Sequence, residues 1–308
     1  LGRVSVADFN ASFRGEVYGE SGVDADWFAE HVGRNGIDLA RSPRWLVDGA
    51  LGGMALLAFR GARAWAGAFG VVPELRGRGY AQRFLADALA LAAEGGAATL
   101  ELEVLERNAA AIGLYERGGF ATVGELIVWK RAPLSIVAGD AGGVFAGGDA
   151  GDVFVSGRDG GGQVIWDTAR GFDSAEVARI ARHPATCWQR EPPGVAAASP
   201  IEAVTVGSPA DALGDEPPVT EDMRADDARN APPAYAFVQR TAARTALLDA
   251  GARDADAAAV LLAALDLRLP QAEPLLLNEP PQGPLHDALA AHPAWSEFTR
   301  QRRMLARL

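Results

Sequence analysis

The chain has 308 residues, a length that favours two domains over one. Apolar residues make up 49%, enough to build a core, and no run approaches the roughly 20 uninterrupted apolar residues of a membrane helix. A net charge of −11 argues against nucleic acid as the main partner and is compatible with a cationic or amine substrate, while Cys187, the single cysteine, excludes an internal disulfide. That single cysteine fits a reducing cytoplasm, the expected location, and no signal peptide is visible in the sequence given, which starts at Leu1 without Met.

Residues 5–13 and roughly 24–33 read as helices, the second capped by Asp24 or Asp26. Apolar runs at Trp45–Val47 and Leu51–Phe59, then the turn Arg60-Gly61-Ala62-Arg63 and the run Ala64–Val72, predict an antiparallel meander. Arg76-Gly77-Arg78-Gly79-Tyr80-Ala81 follows, and it opens an Ala/Leu-rich helix over 80–93 that Gly95-Gly96 stops. Strand, small-residue loop, helix is an arrangement that grips phosphate. The first N–H groups of a helix lack intrahelical partners, glycine lets the backbone approach the anion, and arginine adds charge-assisted hydrogen bonds. An alternating strand comes next at 99–104, then a helix over 108–117 and a closing strand near 121–130. Residues 139–162 hold ten glycines in twenty-four positions and read as a linker or a set of tight turns.

The second half repeats this order. Ala234–Arg240 and Ala246–Leu248 are strand-like, a helix covers about 255–266, Glu273–Asn278 is a strand, Pro284–Ala291 is helical, and a closing strand lies near 297–307.

The loop at 76–81, taken with Thr99-Leu100-Glu101-Leu102-Glu103-Val104, Leu105-Glu106-Arg107-Asn108 and the helix running through Leu114-Tyr115 to Gly119-Phe120, resembles the Gcn5-related N-acetyltransferases over roughly residues 45–130. The resemblance implies an α/β (α+β) fold built of two tandem acyl-CoA N-acyltransferase-like modules, each a mixed, mostly antiparallel sheet flanked by helices. It places an acetyl-CoA module at 1–136, a glycine-rich linker or turns at 137–165 and a degenerate module at 166–308. The degenerate module has Gly251-Ala252-Arg253-Asp254-Ala255-Asp256 where a donor loop would be, and its two aspartates would repel a diphosphate. Ala290 lies five residues before Trp295, where Tyr115 lies five before Phe120.

The resemblance also implies the chemistry. Acetyl-CoA is the co-substrate, held at its diphosphate by Arg76, Gly77, Arg78, Gly79, Tyr80 and Ala81, and along its amide arm by backbone groups of Val71 and Val72 and by Asn108. Asn108 equally serves as a helix cap. A bulge in the strand ending at Val71 would open a slot beside strand 99–104. Tyr115 is the general acid. Glu103 is the candidate base, with Glu101 on the same face of the strand and a water relay as alternatives. The acceptor, a primary amine on a small molecule or peptide, is expected opposite the coenzyme, between the helices of residues 5–33 and the second module. The rival readings are a non-catalytic acetyl-CoA sensor and a nucleotide-binding regulator.

No metal is expected. His31, His183, His286 and His292 have no ligand spacing, and the pair His183 and Cys187 is structural. Trp188-Gln189-Arg190-Glu191 is a cluster whose Trp188 is expected to pack in the second module's core. Two fused modules lead to the expectation of a monomer, with no membrane partner.

Overall fold

The computed structural model describes residues 3–15, 22–133, 144–146, 153–155, 162–167, 172–181, 187–198, 201–207, 232–240, 245–269 and 276–308. The chain divides into two compact units, one of Leu1–Leu126 with Arg300–Leu308 and one of Ile127–Thr299.

The first unit opens with two helices, α1 (Val6–Ser12) and α2 (Ala25–Asn35). A capping box starts α1: the Ser5 hydroxyl accepts from the Asp8 N–H at 3.2 Å, and the Ser5 N–H donates to Asp8 Oδ2 at 2.9 Å. Asp24 caps α2, and Gly36, in the left-handed region at φ 63°, ends it. The strands β1 (Arg44–Val47), β2 (Ala50–Arg60) and β3 (Arg63–Val71) form the expected antiparallel meander. Next come α3 (Tyr80–Glu94), β4 (Thr99–Leu105), α4 (Ala109–Arg117) and the start of β5 (Ala121–Arg131). β4 lies parallel to β3 and antiparallel to Gln301–Arg307 of β13 (Trp295–Arg307), so the sheet is mixed and mostly antiparallel. Leu85 of α3 and Ile112 and Tyr115 of α4 pack with Ala55, Leu57, Leu100, Leu102 and Met304 from the strands in one buried cluster.

Asp8 ties α1 to this sheet. Arg44 Nη2 of β1 donates to Asp8 Oδ1 at 2.9 Å, and Asp8 is buried. Burial alone would raise its pKa, but the bonds from Ser5 and Arg44 outweigh it and hold the carboxyl below its ordinary 3.8. A depressed carboxyl stabilises the fold above its unfolded-state pKa and loses that contribution as pH falls through the folded value. Asp8→Asn is therefore expected to cost roughly 1–2 kcal/mol at pH 7. In denaturant titrations the gap from wild type should close below pH 3.8; a gap that stays constant down to acid pH would refute this account.

In the second unit, β6 (Val144–Ala146), β7 (Val153–Val155), β8 (Gly162–Asp167), β9 (Ile201–Val206), β10 (Ala234–Arg240) and β11 (Thr245–Ala252) form a six-stranded antiparallel sheet in the order β11-β10-β9-β8-β7-β6. β6 and β7 fall inside the glycine-rich segment and Gly162 opens β8, so parts of that segment are paired sheet; residues 139–143, 147–152 and 156–161 lie outside the described residues. The helices are α5 (Ser174–Ile180), α6 (Pro192–Ala196), α7 (Ala255–Arg268) and α8 (Pro284–Ala291). β12 (Leu276–Glu279) pairs antiparallel with Ile127–Lys130 of β5. α7 buries Leu261, Leu262 and Leu265 in a cluster with Val204, Ala236 and Val238. β9 has no counterpart in the sequence reading, and Trp188 is buried as expected. Among the described residues, no helix is long and apolar enough to cross a membrane.

Candidate active site

The site is built where β3 leaves β4. Their parallel register runs Arg63↔Thr99, Ala64↔Leu100 and Trp65↔Glu101, and ends there. Immediately beyond, the β2–β3 register jumps from Leu57↔Ala66 to Leu56↔Ala68, leaving Gly67 as an unopposed extra residue. A bulge bends its strand and strengthens the local twist, which carries β3 away from β4. A side chain at Gly67 would collide with the Trp65 ring, so the bulge needs glycine. The slot expected in this strand thus begins at Trp65 and Gly67.

Beyond the bulge the β2–β3 ladder fixes which backbone groups face the gap. The Val72 N–H donates to the Gly52 carbonyl at 3.0 Å and is engaged with β2. Groups alternate along an antiparallel ladder, so the N–H and C=O of Val71, opposite Gly53, turn away from β2. The Val71 carbonyl accepts from Arg76 Nε at 3.0 Å, which leaves the Val71 N–H, and not that of Val72, directed toward the gap. Both side chains are buried.

The loop then makes the predicted turn. Pro73–Leu75 form one 3₁₀ turn, and Gly77 and Gly79 take φ of 72° and 82°. These angles favour glycine, and a Cβ at either position would meet nothing within 4 Å, so the backbone here is open on its outer side. Gly79 is the N-cap of α3, no side chain caps that helix, and no acid lies in its first turn. The first N–H groups of α3, beginning at Tyr80 and Ala81, therefore form a mouth that no side chain caps. Arg78 is exposed beside it. Arg76 is exposed, and its Nη2 donates to the Ser12 carbonyl at 3.1 Å, so its guanidinium ties the loop to β3 and to the end of α1. An open mouth of backbone N–H groups lined by two left-handed glycines fits a diphosphate.

Across the gap, Asn108 Oδ1 accepts from the Ala111 N–H at 3.1 Å and caps α4. Tyr115, on α4, is 7% exposed; its ring lies edge-on to Phe69 of β3 with centroids 6.3 Å apart. Burial pushes its phenol well above the ordinary 10.0. Phe69 lies on the part of β3 beyond the bulge, so Tyr115 reaches the splayed segment.

On the same strand, Glu101 and Glu103 divide their roles. Glu101 is buried and paired with Arg63 Nη1 at 3.1 Å. Glu103 Oε2 accepts from Trp65 Nε1 at 2.7 Å, so the side chain at the end of the β3–β4 register is bonded to this carboxylate. Arg303 of β13 lies opposite Glu103 in the register. From α2, His31 stacks on Trp27 with centroids 4.9 Å apart and planes 6° apart, and the His31 ring lies 6.5 Å from Trp65. Trp27, His31 and Trp65 were not singled out in the sequence as site residues. The signal lay in the four-residue spacing of Trp27 and His31, and in a tryptophan two positions before a glycine inside a strand.

A cavity of about 670 Å³ lies elsewhere, between residues 39–45 and the second half of α3, and holds none of the predicted site residues. Among the described residues, no group of three or more His, Cys, Asp or Glu could hold a metal. His292 Nε2 lies 2.9 Å from Asp266 Oδ2, His286 packs against Trp129, Cys187 is buried, and His183 is outside the described residues.

The mixed sheet with its bulged strand and the helix that follows it has the architecture of the GNAT fold. Residues 5–120 match the model of the acetyltransferase (GNAT) family. Members use acetyl-CoA or CoA and act on small-molecule or peptide acceptors. Solved structures share the fold over most of the chain. A tandem GNAT protein from the clavulanic acid biosynthesis pathway is 14% identical with a TM-score of 0.58, the alignment covering 98% of this chain and 94% of that one. A GCN5-related N-acetyltransferase from Sphaerobacter thermophilus is 12% identical with a TM-score of 0.57, covering 98% and 91%. One from Anabaena variabilis is 14% identical with a TM-score of 0.51 over 92% of this chain, which spans only 65% of that protein's length. No curated protein matches the chain.

Proposed function

We propose that the first unit is an acetyl-CoA-dependent N-acetyltransferase acting on a primary amine of a small molecule or peptide by direct transfer. The observation that carries this reading is the alignment of three features along one strand: the end of the β3–β4 register at Trp65, the outward Val71 N–H, and the α3 mouth at Gly79. Acetyl-CoA would supply the activated acetyl group as a thioester. The N–H groups of α3 and the Gly77–Gly79 turn would hold its diphosphate, with Arg78 adding charge and Arg76 fixing the loop. The Val71 N–H would stabilise charge growing on the acyl oxygen, a contribution typically worth roughly 3 kcal/mol per donor. Asn108, while capping α4, would touch the amide arm through its side chain. Tyr115 would hold a proton on its Oη for the departing sulfur.

The amine would arrive on the face of Trp27, His31, Trp65 and Glu103. The stacked Trp27–His31 pair offers it a flat shelf, and the Glu103 carboxylate, oriented by Trp65, would take up its proton. Glu103→Gln keeps an oxygen for the Trp65 bond and removes the charge. It is expected to lower kcat/KM for the amine by about 10- to 100-fold with coenzyme affinity unchanged. Activity within twofold of wild type would assign the proton to a water relay instead.

The test of the reading is release of free CoA on a panel of amines, alongside calorimetric titration with CoA and with ATP. Turnover on at least one amine supports it. Coenzyme binding without turnover on any amine would favour the sensor reading, and tighter binding of ATP than of CoA would defeat both.

A further inference from the structure

The second unit repeats the backbone features that define the site in the first. β11 carries an extra residue: its register with β10 jumps from Phe237↔Asp249 to Val238↔Leu247, leaving Leu248 unopposed, as Gly67 is in β3. β11 then turns directly into α7, as β3 leads into α3, and β12 follows as β4 does. β11 is the outer strand of its sheet and β12 pairs with β5; among the described residues no ladder joins β11 to β12.

The gap between them contains Arg190, delivered by the 3₁₀ turn Trp188–Arg190. Its guanidinium bonds to both strands. On β11, Nε donates to Asp249 Oδ1 at 2.6 Å and Nη2 to the Ala250 carbonyl at 2.5 Å. On β12, Nη1 donates to Glu279 Oε2 at 2.8 Å and to the Asn278 carbonyl. The Tyr235 hydroxyl donates to the other Asp249 oxygen at 3.0 Å. Arg190, Asp249 and Glu279 are 5%, 4% and 7% exposed, so the cluster is closed to water.

The helix mouth differs in the same sense. Where α3 begins at an uncapped glycine, α7 begins at Asp254, whose side chain accepts from the Ala257 N–H at 2.9 Å, and Asp256 lies in its first turn. An anion approaching α7 would meet two carboxylates.

We infer that the second unit is a coenzyme-type fold sealed by its own residues, Arg190 bridging the splayed strands and Asp254 covering the helix mouth, so that the chain carries one coenzyme site, in the first unit. This rests on the proposed role of the first unit. A neutral amide arm cannot replace Arg190, because Asp249 and Glu279 would be left as buried, unpaired carboxylates. The sealing is intrinsic to the folded unit and holds β11 to β12 through side chains where a ladder is missing.

Two measurements test it. Calorimetric titration with CoA is expected to give one equivalent per chain for wild type and no detectable binding for Gly79→Asp. A second equivalent, or one that survives Gly79→Asp, would overturn the sealing while leaving coenzyme use intact. No binding to wild type would instead overturn the role of the first unit, and thermal unfolding then decides the sealing by itself. Arg190→Met is expected to lower Tm by roughly 6 °C or more. Adding Asp249→Asn and Glu279→Gln, which removes the stranded charge, should recover at least half of that loss, or restore folding if the single variant does not fold. An Arg190→Met protein as stable as wild type would show that the arginine seals nothing.

Discussion

Gly79→Asp is expected to abolish CoA binding, with affinity falling by about 100-fold or more, a loss of roughly 2.7 kcal/mol. Two effects combine. Gly79 sits at φ 82° and ψ −6°, where a side chain is strained, and it is the N-cap through which the first N–H groups of α3 open outward. A carboxylate there competes for those groups and repels a diphosphate at close range. Gly79→Ala separates the two. It carries the strain without the charge, so it should cost about 1–2 kcal/mol of stability but only a few-fold in affinity. Titration calorimetry reads the affinity and denaturant unfolding the stability. Gly79→Asp binding within threefold of wild type would remove the diphosphate from this mouth. Arg76→Ala should also weaken CoA binding, by about tenfold. It would do so by releasing the loop from the Val71 and Ser12 carbonyls rather than by losing a phosphate contact.

Tyr115→Phe is expected to lower kcat by about 100- to 1,000-fold, with CoA affinity unchanged within threefold. The ring stays, so its packing against Phe69 and Phe120 is kept, and only the hydroxyl is lost. Burial pushes the phenol upward, so it keeps its proton throughout the neutral and alkaline range. Wild-type kcat should therefore show no alkaline fall from Tyr115 below its ordinary 10.0. In the proposed reaction a phenol held this tightly would donate a hydrogen bond that strengthens as negative charge builds on the departing sulfur. Steady-state kinetics over pH 6 to about 10 give the test. A variant retaining half of wild-type kcat would end the assignment.

What was legible in the sequence was local. The glycines at 77 and 79, the alternation at 99–104, the Asn108 cap and the Leu114–Phe120 helix end each signal through neighbours within a few residues. The meander at 45–72 was equally readable. Less legible was everything carried by distant partners. Arg76 reads as a phosphate ligand, and its bond to the Ser12 carbonyl, 64 positions away, has no local signal. Arg190 is one charge in an odd tetrapeptide, yet its partners lie 59 and 89 positions on. Gly67 gives a fair hint, since a lone glycine inside a strand marks a bulge, but the meaning of the bulge depends on where the β3–β4 register stops. The Trp27–His31 shelf becomes visible only once α2 is laid beside Trp65. β13 was read as a closing strand of the second half, and nothing in its own alternation shows that Arg300–Leu308 group with the first unit.

That strand has a consequence for how the protein comes into being. Gln301–Arg307 supply the antiparallel neighbour of β4, and Met304 and Ala306 are completely or nearly buried in the core beneath α3 and α4. β4 therefore waits, during synthesis, for a partner encoded beyond the second unit. Until it arrives, Glu103 lacks its facing strand and one edge of β4 stays unprotected against stray pairing. The proposed acetyltransferase half is translated first and completed last.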